Sequence, residues 1–192
     1  MLKFLLATNN VHKAQEFREI LNPLGIEIVT PKDLGLNIDP EESGKTFREN
    51  SLIKAKAFFE ASGLTTIADD SGLCIEALDG KPGIYSARFA TESGGYPAVF
   101  DVLNKELEGK KRDAKFHCCI CLYDGSKPLY FEGDCPGYLL DKPVGQCGFG
   151  YDPIFHCNEG NVDFGTAPED VKNKYSHRSK ALKQFVSYLN NR

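Results

Sequence analysis

The sequence predicts a mixed α/β fold, and three observations carry that prediction. Short apolar runs at Lys3–Ala7 and Ile26–Val29 flank a stretch with apolar residues at 14, 17, 20, 21 and 24, the spacing of one helix face. Two longer runs, Ala114–Tyr123 and Pro128–Leu139, meet through Asp124-Gly125 and read as paired strands. A second helical pattern, apolar at 182, 185, 186 and 189, closes the chain from about Arg178 to Asn190.

In chain order, the strand Lys3–Ala7 precedes a helix over Lys13–Leu24, which Gly25 stops. Ile26–Val29 is a second strand. Residues 31–44, with two prolines and the acidic pair Glu41-Glu42, read as loop. Thr46-Phe47-Arg48-Glu49 is a capping box, able to satisfy orphan amides reciprocally, and opens a helix to about Ser62 that Gly63 closes. Thr65–Ala68 is a strand leading to Asp69-Asp70-Ser71-Gly72 on a tight turn, and Leu73–Leu78 follows, with a turn at Asp79-Gly80. Pro97–Leu107 is a helix, and a Gly-rich loop spans Gly145 to Asp152. With no internal repeat, low-complexity tract or linker, residues 1–192 form a single domain.

A chain of 192 residues buries about 70% of its unfolded surface and needs no staple to fold. Its 41% hydrophobic and 26% charged content suit a soluble enzyme. The net charge of −4 argues against a nucleic-acid polymer as partner, though not against a small nucleotide held by a few local cations. The first apolar run is too short for a signal segment, and no stretch approaches the about eighteen apolar residues of a membrane span. No membrane partner and a cytoplasmic location are the expectation. Of the seven cysteines, Cys118 and Cys121 make a C-x-x-C, but residues three apart on a strand face opposite sides and no second such pair completes a four-thiolate site. Buried free thiols fit better than metal ligands.

Four segments carry chemistry. Thr8-Asn9-Asn10-Val11-His12-Lys13 lies between a strand and a helix, where free amides and the positive helix end suit a phosphate; an ordinary capped turn fits the same residues. Asp69-Asp70 offers carboxylates to Mg²⁺, a hard ion bound through one or two carboxylates plus phosphate oxygens, while Asp-Ser-Gly is also plain turn chemistry. Phe149-Gly150-Tyr151-Asp152-Pro153 offers a stacking plate and a ring N–H acceptor, or a turn with core aromatics. Ser176-His177-Arg178 offers donors at a helix start, or simple capping by Ser176. Ser43-Gly44-Lys45-Thr46 is not a P-loop, because the pattern needs Gly at position 39 and the residue there is Asp39. Its acidic neighbours suit a metal ligand or a solvated loop.

Together these segments resemble the inosine triphosphate pyrophosphatase family, of the bacterial dITP/XTP type that hydrolyses non-standard purine nucleoside triphosphates. The resemblance rests on six ordered blocks, nearly end to end: Leu6-Ala7-Thr8-x-Asn10-x-x-Lys13, Glu41-x-x-Gly44-x-Thr46-Phe47-x-Glu49-Asn50, Ala68-Asp69-Asp70-Ser71-Gly72-Leu73, Gly83-Ile84-Tyr85-Ser86-Ala87-Arg88, Phe149-Gly150-Tyr151-Asp152-Pro153 and Ser176-His177-Arg178. It implies an elongated mixed central sheet with flanking helices, two lobes around an active-site cleft, and a homodimer. It implies Mg²⁺ held by Asp70 and Glu41, with Asp70 also the general base and Asp69 holding the carboxylate network. Lys13, the amides of Thr8, Asn9, Asn10, Val11 and His12, Ser71 and Lys172 are then expected on the phosphates, with Lys54 and Arg88 as lesser candidates. Phe149, with Gly150, Tyr151 and Asp152, is expected at the base, and His177 and Arg178 at its O6. The family usually has Gly where this chain has Asn9, the next most tolerant residue for left-handed backbone.

The implied reaction splits the α–β phosphoanhydride into monophosphate and pyrophosphate, cleansing the nucleotide pool of deaminated purines. Hypoxanthine and xanthine present an O6 acceptor and an N1–H donor where adenine presents the reverse, so donors aimed at O6 reject adenine at about 1–3 kcal/mol per unpaired buried group. Among rivals, a haloacid-dehalogenase-type phosphatase needs Asp-x-Asp, whereas Asp69 and Asp70 are adjacent. A Maf-like nucleotide pyrophosphatase differs in base preference. A nucleotide sensor predicts binding without pyrophosphate release.

Overall fold

The structure, a computed structural model, describes residues 2–191. Seven strands form one mixed sheet: β1 (Leu2–Leu6), β2 (Ile26–Val29), β3 (Thr66–Ile75), β4 (Asp113–Tyr123), β5 (Leu129–Leu139), β6 (Phe155–Cys157) and β7 (Val162–Asp163). Their order is β2-β1-β3-β4-β5-β6-β7. The helices are α1 (Val11–Leu21), α2 (Phe47–Ser62), α3 (Ser86–Glu92), α4 (Tyr96–Glu106), α5 (Glu169–Tyr175) and α6 (His177–Asn190). The chain divides into two compact units, residues 1–70, 118–132 and 181–192 in the first, 71–117 and 133–180 in the second.

In the first unit β1 pairs parallel with β2 and β3, placing Leu5 opposite Val29 and Leu6 opposite Ile67. Strand alternation then sends successive side chains to opposite faces. One face packs Phe4, Leu6, Ile67, Cys118 and Ile120 with Ala14, Phe17 and Leu21 of α1 and Leu182 and Phe185 of α6. The other packs Leu5, Ala7, Ala68 and Cys121 with Ala55 and Phe58 of α2. Cys118 and Cys121 therefore lie in different cores, as the three-residue spacing predicts. The second unit carries antiparallel pairing of β5 with β6 and β6 with β7. Its core joins Leu73, Ile75, Val99, Phe100, Leu103, Phe116, Tyr151, Phe155 and Phe164.

The principal strands and helices fall where the sequence predicts them, with local differences. The first helix starts at Val11 and ends at Leu21, and Asn22-Pro23-Leu24 continues as a 3-10 turn. Pro23 has no amide for the helix ladder. The capping box is only half reciprocal: Glu49 N donates to Thr46 Oγ1 at 3.1 Å, but Glu49 Oε2 accepts from Lys45 N. The helix expected from Pro97 begins at Tyr96.

One expectation is overturned. Asp69-Asp70-Ser71-Gly72 is not a tight turn but the middle of the ten-residue strand β3. Gly72 is needed for closeness rather than for a positive φ: a Cβ there would lie 2.1 Å from Gly83 O and 2.7 Å from Ser86 Oγ. The elements that the sequence does not predict are the short ones, α3 and α5 at seven residues, β6 at three and β7 at two. They span too few residues to show a period.

Candidate active site

The register of β3 sets the geometry in the first unit. Asp69 follows Ile67 on the α1 face, and Asp70 follows Ala68 on the α2 face. The two carboxylates thus do not share one seat; each meets its own lysine. Lys13 of α1 holds both oxygens of Asp69, at 3.2 and 3.0 Å, and the Asp69 side chain is fully buried. Lys54 of α2 lies 3.6 Å from Asp70 Oδ1 and 3.0 Å from Glu42 Oε1. Burial pushes the Asp70 carboxyl above its ordinary value, against the opposing pull of Lys54 and Lys13. For Lys54 burial acts in the other direction, but Asp70, Asp69 and Glu42 outweigh it and hold the ammonium charged.

Asn50, 1% exposed at the start of α2, fastens the acidic loop to this cluster. Its Oδ1 accepts from Gly44 N at 2.9 Å, and its side chain also hydrogen-bonds Asp70. Position 44 admits no side chain, since a Cβ on Gly44 would lie 2.6 Å from Asn50 Oδ1. Glu42 is the loop carboxylate engaged by Lys54, whereas Glu41 is exposed. Three carboxylates, Asp69, Asp70 and Glu42, thus face two ammonium groups, and Asp70 Oδ2 is buried without a hydrogen-bond partner.

The loop between β1 and α1 is a capped helix start. Asn10 Oδ1 accepts from His12 N at 3.0 Å and Lys13 N at 3.2 Å, and Asn10 N donates to Thr8 Oγ1 at 3.1 Å. Those amides are already engaged; Asn9 and Val11, both exposed, keep theirs outside these bonds. Asn9 does not take a positive φ, so the absence of glycine there costs no backbone strain. Thr8, Asn9, Asn10 and Val11 line an open groove of about 810 Å³ together with Arg18 and Lys32.

In the second unit the loop at 148–152 is built around Asp152. Asp152 Oδ2 accepts from Phe149 N at 2.8 Å and from Lys172 Nζ at 2.7 Å, and the Asp152 and Lys172 side chains are 4% and 1% exposed. A Cβ on Gly148 would lie 2.2 Å from that same oxygen. Lys172, expected among phosphate ligands, therefore sits on Asp152 and 4.7 Å from the centre of the Phe149 ring. Arg178 stands 5.9 Å from that ring centre and donates to Ser71 Oγ at 3.0 Å. The Arg178 side chain is among the most deeply buried in the protein. His177 is buried and stacks on Phe116 with centroids 4.8 Å apart. Ser176 Oγ accepts from Ser179 N, capping α6 as its sequence position suggests.

Tyr151 is a core residue. It is 4% exposed, its hydroxyl donates to Ser86 O at 2.8 Å, and its ring meets Tyr96 edge-on, which leaves only its backbone for a ligand. Gly150 takes φ +64° and packs on Tyr96. Arg88 is exposed and stacks on Tyr85. Sequence reasoning did not single out Asn50 and Glu42, which the structure places in the Asp70 cluster. Asn50 and Lys54 stand four apart on α2, a spacing that makes them neighbours on one helix face. That spacing of two polar residues within a helical pattern is the signal in the sequence that could have found Asn50.

The model of the Ham1 family matches residues 4–188. A dITP/XTP pyrophosphatase of Leptospira interrogans is 44% identical over 192 aligned residues, covering 96% of this chain and 95% of that protein. The dITP/XTP pyrophosphatase of Bacillus subtilis is 39% identical, covering 98% of each. Among solved structures, a HAM1 protein from Coxiella burnetii superposes with a TM-score of 0.88 at 35% identity, covering all of both chains. The Staphylococcus aureus Ham1 protein does so with a TM-score of 0.87 at 34% identity, covering 98% of each. On that full-length agreement, the chain belongs to the Ham1 family.

Proposed function

We propose that this protein is a Mg²⁺-dependent pyrophosphatase of non-standard purine nucleoside triphosphates, converting ITP, dITP and XTP to the monophosphate and pyrophosphate. The observation that carries the proposal is Asp70: a buried carboxylate with one oxygen unpartnered, fastened through Asn50 to an acidic loop. An open carboxylate oxygen among surplus negative charge fits a hard divalent cation. Asp70 and Glu41 would hold Mg²⁺, Glu42 being engaged by Lys54. When bound, the ion offsets triphosphate charge and favours attack by water. The names of the full-length relatives, dITP/XTP pyrophosphatases, support the same reaction.

The chain's own residues divide the remaining work. Asp70 takes a proton from the attacking water, and burial, by raising its pKa, brings its basicity closer to neutral pH. Asp69 holds Lys13 in place, and Lys13 with the amides of Asn9 and Val11 receives phosphate oxygens. Phe149 stacks on the purine, a contact worth about 1–3 kcal/mol and blind to base identity. Identity comes from the buried donors of Arg178, His177 and Lys172, which suit an O6 acceptor and oppose adenine's amine. A homodimer in the cytoplasm, acting on small nucleotides rather than a nucleic-acid polymer, completes the proposal.

Pyrophosphate release is measured with ITP, dITP, XTP, ATP, GTP and dUTP, with and without Mg²⁺. Release from ITP, dITP and XTP that requires Mg²⁺, with ATP and GTP nearly inert and Asp70→Asn reduced by orders of magnitude in a folded protein, is the expected result. Orthophosphate as product, or full activity of Asp70→Asn, rejects the reading. Preference for dUTP moves the protein to a pyrimidine-directed class.

A further inference from the structure

Two of the seven cysteines meet inside the second unit. Cys135 of β5 and Cys157 of β6 are both buried, and the Cys135 thiol donates to Cys157 Sγ at 3.4 Å. Their strands pair antiparallel with Gly137 opposite Cys157, which makes the two cysteines diagonal neighbours across the ladder. A disulfide requires the sulfurs to close from 3.4 Å to about 2.05 Å, a displacement smaller than one bond length.

The surroundings distinguish the two sulfurs. The Cys135 hydrogen bond, and the amides of Gly160 and Glu159 in the turn after β6, stabilise negative charge on Cys157 and hold its thiol well below the ordinary range, against the effect of burial. Lys180, partly exposed near the start of α6, adds a favourable charge. Cys135 is shifted upward and remains a thiol. Burial pushes Cys119 and Cys121 up to about 12, leaving them without thiolate at neutral pH. Both thiols are 0% exposed, and their chain neighbours Pro136, Gly137 and Asn158 line an open groove of about 400 Å³.

We propose that Cys135 and Cys157 form a dithiol modification site that a hydroperoxide oxidises to an intramolecular disulfide. The Cys157 thiolate attacks one oxygen of hydrogen peroxide; an S–O bond forms, the O–O bond breaks, and hydroxide leaves to take up the proton that Cys157 had released. Cys135 then attacks the sulfenic sulfur; the S–S bond forms, the S–O bond breaks, and the Cys135 proton departs with that oxygen as water. Two thiols and one peroxide give one disulfide and two waters, the sulfurs losing the two electrons that the peroxide gains.

The test is peptide mapping of the reduced, full-length protein after hydrogen peroxide at neutral pH, with free thiols alkylated under denaturing conditions. The expected product is a linked peptide pair joining residues 135 and 157, with a mass loss of about 2 Da, formed at least about tenfold faster than any change at Cys119 or Cys121. Cys135→Ser leaves a sulfenic acid on Cys157 that dimedone traps, and Cys157→Ser leaves Cys135 unmodified; alanine versions of both, checked by circular dichroism, serve if serine disturbs the core. The proposal is overturned if both thiols stay reduced at peroxide doses that modify Cys119 or Cys121. Pairing of either with Cys147 instead overturns it as well, and the wild-type map decides without any variant.

Discussion

Lys172→Met is the most informative perturbation of the second unit. The ammonium of Lys172 and the carboxylate of Asp152 are 2.7 Å apart and almost fully removed from water. Breaking such a pair from one side strands a buried charge and costs about 3–5 kcal/mol. Against a domain stability of about 5–15 kcal/mol the variant still folds, and at about 2–4 °C per kcal/mol for this size its melting temperature falls by roughly 6–20 °C. Asp152→Asn strands the opposite charge but keeps an acceptor for Phe149 N, so its loss is the smaller of the two. The double variant Asp152→Asn/Lys172→Met removes both charges of the pair, and the stability lost by Lys172→Met largely returns, with a coupling of about 2–3 kcal/mol. Urea unfolding followed by circular dichroism on all four proteins measures the cycle. Additive losses, or a single variant costing under about 1 kcal/mol, would refute the reasoning that these two charges tolerate burial only together.

Two further predictions concern the first unit's loop and the sheet surface. Gly44→Ala forces a Cβ to within 2.7 Å of Glu49 Cβ and 2.6 Å of Asn50 Oδ1, so it costs about 1–3 kcal/mol and, by unfastening the loop from Asn50, lowers turnover of ITP more than about tenfold; a kcat equal to wild type removes the fastening role. Asp134 is held below its ordinary 3.8: partial burial raises it, but hydrogen bonds from Lys115 and His117 outweigh that. A depressed carboxylate contributes stability above its unfolded pKa and loses it as pH falls through the folded one. Asp134→Asn therefore lowers the urea midpoint slightly at pH 7, within the about 0–1 kcal/mol of a part-exposed pair, and the gap to wild type closes below about pH 4; a gap that widens in acid refutes the sign.

Much of the framework is legible in the sequence because its long elements carry clear periods. The α1 and α6 patterns, the two long strands β4 and β5, and the opposed faces of Cys118 and Cys121 all follow from side-chain direction alone. Gly72 misleads because glycine after Asp-Ser signals a turn locally, while the reason for it is the carbonyl of Gly83, eleven positions on and brought near only by folding. The packing of Tyr151 is equally hidden: its neighbours Phe149 and Asp152 meet Lys172, while its own hydroxyl finds Ser86 across 65 positions. Asp152 and Lys172, twenty residues apart, announce no pairing in sequence. Contacts of that kind are set by packing, not by local pattern.

The adjacent aspartates make the same point from the other side, because their separation follows from strand geometry alone. Once Thr66–Ile75 is a continuous strand, Asp69 and Asp70 must face opposite ways, since neighbours on a strand always do. Each then needs its own cation, and α1 and α2, one on each face, supply Lys13 and Lys54. The two pairs are unequal. Asp69 is held by both oxygens and is committed to Lys13, whereas Asp70 shares Lys54 with Glu42 and keeps an oxygen open. A carboxylate fully matched by its lysine is a structural anchor; one that is under-matched is drawn to a further cation and retains a lone pair for a proton. The different charge balance of two chemically identical neighbours is thus fixed by which helix lies over each face, and by the acidic loop that competes for only one of the lysines.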